Sequence, residues 1–132
     1  MSYYISDIEF QNFLESIGGL KNGFYSDRPN ITEVRFFSIS PGWYGLVKEL
    51  ITDLIELGWN KEICQVKEKF GGLRFYINDG SDEVYNRIME AEALSYKTCE
   101  VCGEIGEIRS NLRWWRTLCD KHYEIELETK KI

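Results

Sequence analysis

Apolar and polar residues repeat with two different periods along this chain, and each change of period marks an element. From Trp43 onward, Leu46, Val47, Leu50, Ile51, Leu54 and Ile55 recur at spacings of three and four, as on a helix with one buried face. Ser40 stands at the cap position and Pro41 at the first helical position, where a missing N–H does no harm. Gly58 stops the run, so the pattern predicts a helix over 41–57. Glu49, Asp53 and Glu56 fall on the opposite, solvated face. Ser6-Asp7-Ile8-Glu9 has the form of a capping box and predicts a helix over about 6–17, ended by Gly18-Gly19. A third helix is predicted over 82–96, capped by Ser81 or Asp79, with Val84, Tyr85, Ile88, Ala91 and Ser95 as its core stripe.

Between the second and third helices the period drops to two. Residues 63–70 and 73–78 flank Gly71-Gly72 and predict a β-hairpin. With a tight turn at the two glycines, Phe70 opposes Leu73, Lys69 opposes Arg74, Glu68 opposes Phe75, Lys67 opposes Tyr76 and Val66 opposes Ile77. Alternation then puts Cys64, Val66, Phe70, Leu73, Phe75 and Ile77 on one apolar face, together with Glu68. Lys67, Lys69, Arg74 and Tyr76 face the other way. Cys64 reads as a small core residue. A carboxylate on the apolar face, as Glu68 would be, must find an arginine or reach water through a bulge. Residues 20–32 read as loop and 33–39 as a strand. Residues 112–118 read as a further strand, in which Trp114 and Trp115 point to opposite faces, so that at least one is core. A last helix begins at Cys119, with Asp120 in its first turn and Lys130 and Lys131 near its end.

The cysteines change the picture most. Cys99-Glu-Val-Cys102 and Cys119-Asp-Lys-His122 form a C-x2-C-x16-C-x2-H pattern that uses the only histidine of the chain. Two intervening residues let a tight turn aim both side chains at one ion, Gly103 supplies backbone freedom, and three thiolates plus an imidazole suit tetrahedral zinc. One structural Zn2+ is expected, held by Cys99, Cys102, Cys119 and His122. Residues 97–131, a knuckle followed by a strand or hairpin and a ligand-bearing helix, resemble a treble-clef zinc finger. The expected fold is therefore α+β: a helix and β-hairpin domain over 1–96, with a treble-clef-like zinc module over 97–132 docked on it, since no Pro/Gly/Ser-rich linker separates the two.

Of the 132 residues, 43% are hydrophobic and the formal charge is −6, which fits a folded chain and excludes a disordered one. No run approaches the ~20 apolar residues of a membrane helix. Asp7 and Glu9 stand where a secretory leader would be basic and then apolar, so a cytoplasmic setting is expected. The charge is unevenly spread. Lys67, Lys69 and Arg74 meet only Glu68, and Arg109, Arg113 and Arg116 meet no acid between 109 and 118. These basic strands, with Tyr76, Trp114 and Trp115 beside them and Gly71 and Gly72 allowing close approach, are candidates for holding a phosphate or a stacked base.

Catalysis is not expected. The donor set is closed, the only histidine is a ligand, and neither a phosphate loop nor the deaminase signature is present. The segment VKEKFGGLRFYINDGSDEVYNRIMEAEALSYKTCEVCG, continuing to WWRTLCDKH and preceded by GWYGLVKEL, resembles a group of small uncharacterised bacterial and phage-type zinc-knuckle proteins over about 41–123. That resemblance implies a cytosolic zinc-knuckle protein and brings no activity with it. The expected function is a zinc-stabilised interaction protein that binds a protein partner as an inhibitor, adaptor or immunity-like factor. The alternative is binding of nucleic acid or a phosphorylated small ligand through Lys67, Lys69, Gly71, Gly72, Arg74, Tyr76, Arg113, Trp115 and Arg116.

Overall fold

The computed structural model describes residues 2–25 and 27–129. Mixed helix and strand of the α+β kind are present. Helix α1 spans Asp7–Ser16, and its cap is the expected one, with Ser6 Oγ accepting from the Glu9 N–H at 3.2 Å. Gly18 and Gly19, both at positive φ, end it. The predicted loop 20–32 contains a two-residue strand, β1 (Lys21–Asn22), and a reciprocal backbone pair between Leu20 and Ile31. The predicted strand 33–39 is mostly a 3-10 turn over Val34–Phe36, and only Phe37–Ser38 (β2) pairs.

The central helix starts three residues later than its pattern suggests. Pro41–Trp43 form a 3-10 turn, and α2 runs over Tyr44–Glu56. Ser40 makes no side-chain cap, because the Gly42 N–H that its hydroxyl could accept donates to the Glu100 carbonyl at 2.9 Å instead. Trp43, Leu46, Val47, Leu50, Ile51 and Leu54 are all buried, as their spacing requires.

Strand β3 (Glu62–Lys69) is the centre of the main sheet. Along one edge it pairs antiparallel with β4 (Gly72–Ile77); along the other it pairs in parallel with β1 near its start and with β2 near its end. Helix α2 is the crossover that carries the chain from β2 to a parallel β3. The hairpin register differs by one step from the sequence reading. Lys69 pairs with Gly72, Glu68 with Leu73, Lys67 with Arg74, Val66 with Phe75 and Gln65 with Tyr76. The turn is therefore Phe70-Gly71, with φ of 54° and 82°, and not Gly71-Gly72. Phe70 swings out of the core as a result. A register shift between Ile63 and Gln65 reverses the faces there, so Ile63 is buried and Cys64 is only half-buried.

Helix α3 (Asp82–Ser95) is capped by Ser81, whose Oγ accepts from the Val84 N–H. It packs on both α2 and β4, burying Val84, Ile88, Ala91 and Ser95 and leaving Tyr85 exposed. Phe10 and Leu14 of α1, the α2 stripe, Ile63, Val66, Leu73, Phe75 and the α3 stripe make one core. No helix among the described residues is long and apolar enough to cross a membrane.

The last third forms a second small sheet, β5 (Glu107–Arg109) with β6 (Arg116–Leu118), followed by α4 (Asp120–Thr129). The predicted strand 112–118 is thus confined to its end. Three residue pairs close the β5–β6 ladder, and Leu112–Trp115 find no partner strand. Both tryptophans consequently lie outside, Trp114 at 72% and Trp115 at 48% exposure, and neither is core. Lys130 and Lys131 lie outside the described residues.

Candidate metal centre and adjoining cleft

The backbone after α3 is bent so that Cys99 and Cys102 face one point. The Cys99 N–H donates to the Glu104 carbonyl at 2.7 Å and the Gly103 N–H to the Cys99 carbonyl at 2.8 Å. Gly103 takes φ 76°, the left-handed conformation that glycine adopts most easily. The other pair comes from the junction of β6 and α4: Cys119 lies between the strand and the helix, and His122 lies in the first helical turn. Arg109 of β5 fixes that turn, donating to the Leu118 carbonyl and to Asp120 Oδ1, with its guanidinium 4.3 Å from the Tyr123 ring centre.

The donor atoms of Cys99, Cys102, Cys119 and His122 all lie within 4.8 Å of one another. Cys102 Sγ and Cys119 Sγ are 3.8 Å apart, Cys99 Sγ and His122 Nδ1 3.7 Å, and Cys119 Sγ and His122 Nδ1 3.2 Å. A tetrahedral ion with metal–sulfur and metal–nitrogen bonds of about 2.3 and 2.0 Å sets its donors roughly 3.5–3.8 Å apart. The group is thus compatible with one structural metal ion. Electrostatics point the same way. Burial pushes the Cys99 thiol up, but backbone N–H groups of Cys102, Cys119 and Val101 outweigh it and hold the thiol below its ordinary value. Burial and the neighbouring sulfurs push the Cys102 thiol up to about 11, so it becomes a thiolate near neutral pH only beside a cation. All four cysteines are free of disulfides.

This module is tied closely to the helical body. Trp43 Nε1 donates to the Thr98 carbonyl, Thr117 Oγ1 donates to the Gly71 carbonyl at 2.7 Å, and the Tyr3 N–H donates to the Gly103 carbonyl at 3.0 Å. Where it meets the β3–β4 turn, a cleft of about 1010 Å³ opens. Lys69, Phe70 and Arg74 line one side, Arg113, Trp114 and Trp115 the other, with Glu68, Tyr96, Glu100, Ile108 and Arg116 around them. Phe70 and Trp115 meet edge to face across it, their ring centres 6.3 Å apart.

Of the basic and aromatic candidates, the fold gathers Lys69, Arg74, Arg113, Trp115 and Arg116 into this cleft and leaves Lys67 and Tyr76 out of its lining. Gly71 and Gly72 are buried spacers: a Cβ on Gly71 would strike Ile108, and one on Gly72 would strike the Tyr96 ring. Arg116 is already engaged, at 2.6 Å from Glu100 Oε1 and 2.9 Å from Glu126. Arg74 donates to the Leu73 carbonyl and to the Tyr96 hydroxyl. Glu68, instead of sitting in the core, accepts from the Gly71 N–H at 2.7 Å and stiffens the turn.

Glu100, Phe70 and Ile108 were not singled out by sequence, whereas Trp114 was, and it lines the cleft. Phe70 was hidden by the one-step register. Glu100 carries a local signal, being the one acid inside the C-x2-C knuckle, opposite an arginine-rich segment. It is 6% exposed, and burial pushes its carboxyl up against the pull of Arg116.

Comparison with protein-family models, with curated proteins and with solved structures gives no match. The resemblance of residues 41–123 to bacterial and phage-type proteins gains no support from them.

Proposed function

We propose that the protein is a non-enzymatic, zinc-stabilised binding module that recognises nucleic acid or a phosphorylated small ligand in the cleft between the Phe70-Gly71 turn and residues 113–116. The observation that carries this reading is the convergence of Lys69, Arg74 and Arg113 with Phe70, Trp114 and Trp115 around one cavity, on a chain whose net charge is −6. Stacking faces beside cations are the usual means of holding nucleotides without a basic duplex-binding surface. In this reading the ion is Zn2+ and the module a treble-clef finger. Three thiolates and one imidazole fill the coordination sphere, so the metal organises the cleft and does not bind the ligand. A reducing compartment such as the cytoplasm, which keeps thiols free, suits it.

Titration with single-stranded oligonucleotides, nucleotides and inorganic phosphate tests the proposal. Affinity should fall with salt and be lost in Lys69→Glu and Arg113→Glu, with Lys67→Glu much less affected. Flat titrations at low salt would rule it out.

A protein partner is the second reading. Helix α4 buries none of its residues; Ile125 stays exposed, and Leu127 is exposed in the same hollow as Trp114. Exposed tryptophan and arginine are the residue types that anchor protein interfaces. A crosslinker placed at Ile125 that captures one protein, and fails to do so in a Leu127→Asp chain, would favour it.

A further inference from the structure

Resting on the phosphate-ligand reading, we propose that the ligand is a single strand of nucleic acid, about four nucleotides of which are held. One end stacks in the cleft, and the other lies along the outer face of the β3–β4 hairpin over Lys67 and Tyr76.

The hairpin register carries the argument. Lys67 stands opposite Arg74, and Gln65 opposite Tyr76. Alternation puts these four side chains on the face turned away from Val66, Leu73 and Phe75, which are buried in the core. Lys69 continues that face toward the turn, and Lys69 and Arg74 also line the cleft. Sheet face and cleft are therefore one continuous surface, joined at those two cations. The surface is basic along its length. Within 65–69 and 72–76 the single acid is Glu68. Alternation turns it away from Lys67 and Lys69, and its carboxylate accepts from the Gly71 N–H. Around the cleft itself four cations stand against two carboxylates, Glu68 and Glu100. Arg74 is fixed by neutral acceptors, the Leu73 carbonyl and the Tyr96 hydroxyl. Cations spaced along a strand match a chain of phosphates, where one phosphate would use only the cleft. Aromatic rings accompany them past the cavity. Phe70 is 64% exposed with Lys69 Nζ 5.6 Å from its ring centre, and Tyr76, outside the cleft, is 42% exposed. Rings stack only on unpaired bases, and the acidic remainder of the chain opposes the broad backbone of a duplex, so the strand is single.

The test uses the full, metal-loaded chain and follows tryptophan fluorescence and heat on titration. The ligands are thymidine 5′-monophosphate, oligothymidylates of increasing length, an abasic strand with the phosphates of the tetranucleotide, a short blunt duplex and inorganic phosphate. A parallel series of uridylates is run. Affinity should rise about ten-fold or more from mononucleotide to tetranucleotide and then level off, since each added stacked base contributes. The abasic strand and the duplex should bind more weakly than the tetranucleotide. Tyr76→Ala should weaken the tetranucleotide about five-fold or more and leave the mononucleotide unchanged. Lys67→Gln should lower the salt dependence of tetranucleotide binding by about one phosphate contact. Binding of either series in this manner supports the inference, and the tighter series names the strand as DNA or RNA. If a variant does not fold, the length series on the unaltered chain still decides. Mononucleotide, abasic strand or duplex binding as tightly as the tetranucleotide would overturn this inference and leave the phosphate-ligand reading standing. So would an unchanged tetranucleotide affinity in folded Tyr76→Ala. Absence of binding by every compound, inorganic phosphate included, would overturn both.

Discussion

Trp43 Nε1 donates to the carbonyl oxygen of Thr98 at 2.8 Å, a buried bond from the turn that opens α2 to the residue just before Cys99, the first of the four clustered donors. The indole itself is fully buried in the core. Stability of the helical body and placement of the knuckle are therefore linked through one side chain. Trp43→Phe removes the donor, orphans a buried carbonyl and leaves a small void, at an expected cost of about 2–4 kcal/mol. Urea denaturation should report that loss, and a colorimetric chelator should strip the metal faster from the variant.

Removing the metal should act most strongly on the end of the chain. Helix α4 has no buried residue and is held by Cys119, His122 and the ion pairs of Arg109 with Asp120 and Arg116 with Glu126. Structural metal sites contribute their binding energy directly to folding. His122→Ala or chelation should lower the melting temperature and expose the amides of 119–129 to hydrogen exchange. Cys64→Ser, far from the donor group, should retain one metal ion per chain by elemental analysis.

Gly71 and Gly58 separate two effects of a left-handed glycine. Both have positive φ, 82° and 93°, but a Cβ at Gly58 meets nothing within 4 Å, whereas one at Gly71 meets Ile108. Gly58→Ala should cost only the backbone strain, about 1 kcal/mol. Gly71→Ala adds overpacking between the hairpin and β5 and should cost roughly 2–4 kcal/mol. Thermal denaturation of the two variants side by side checks the order.

Tyr44 gives the molecule an alkaline limit. Burial, with a hydrogen bond to Asp7, pushes its hydroxyl up to about 12. The unfolded chain releases that proton near pH 10 and the folded one near 12. The stabilisation is thus complete below pH 10 and is lost as pH rises through about 12. Tyr44→Phe should flatten that part of the stability–pH curve, measured by denaturant titration between pH 9 and 12.

What was legible in the sequence was what is decided locally. The Cys99, Cys102, Cys119 and His122 pattern is built from donor pairs three positions apart, and the α2 stripe from contacts at three and four. The hairpin register was misjudged because turn chemistry lost to packing. Gly71-Gly72 is the better turn dipeptide, but Gly72 must lie against the Tyr96 ring, so the turn retreats onto Phe70. Strands β1 and β2 pair over two residues each, too short for any alternation to appear. The cleft was legible only in part. Its basic residues stand out, but its walls come from segments about forty residues apart, joined by bonds such as Thr117 to Gly71.

The two short parallel strands also have a role beyond their few hydrogen bonds. By lying end to end along the outer edge of β3, they occupy the backbone groups that a second copy of the chain would otherwise use. Lys21–Asn22 and Phe37–Ser38 act as a sheath on the sheet, and a chain lacking both strands would be prone to self-association by strand addition.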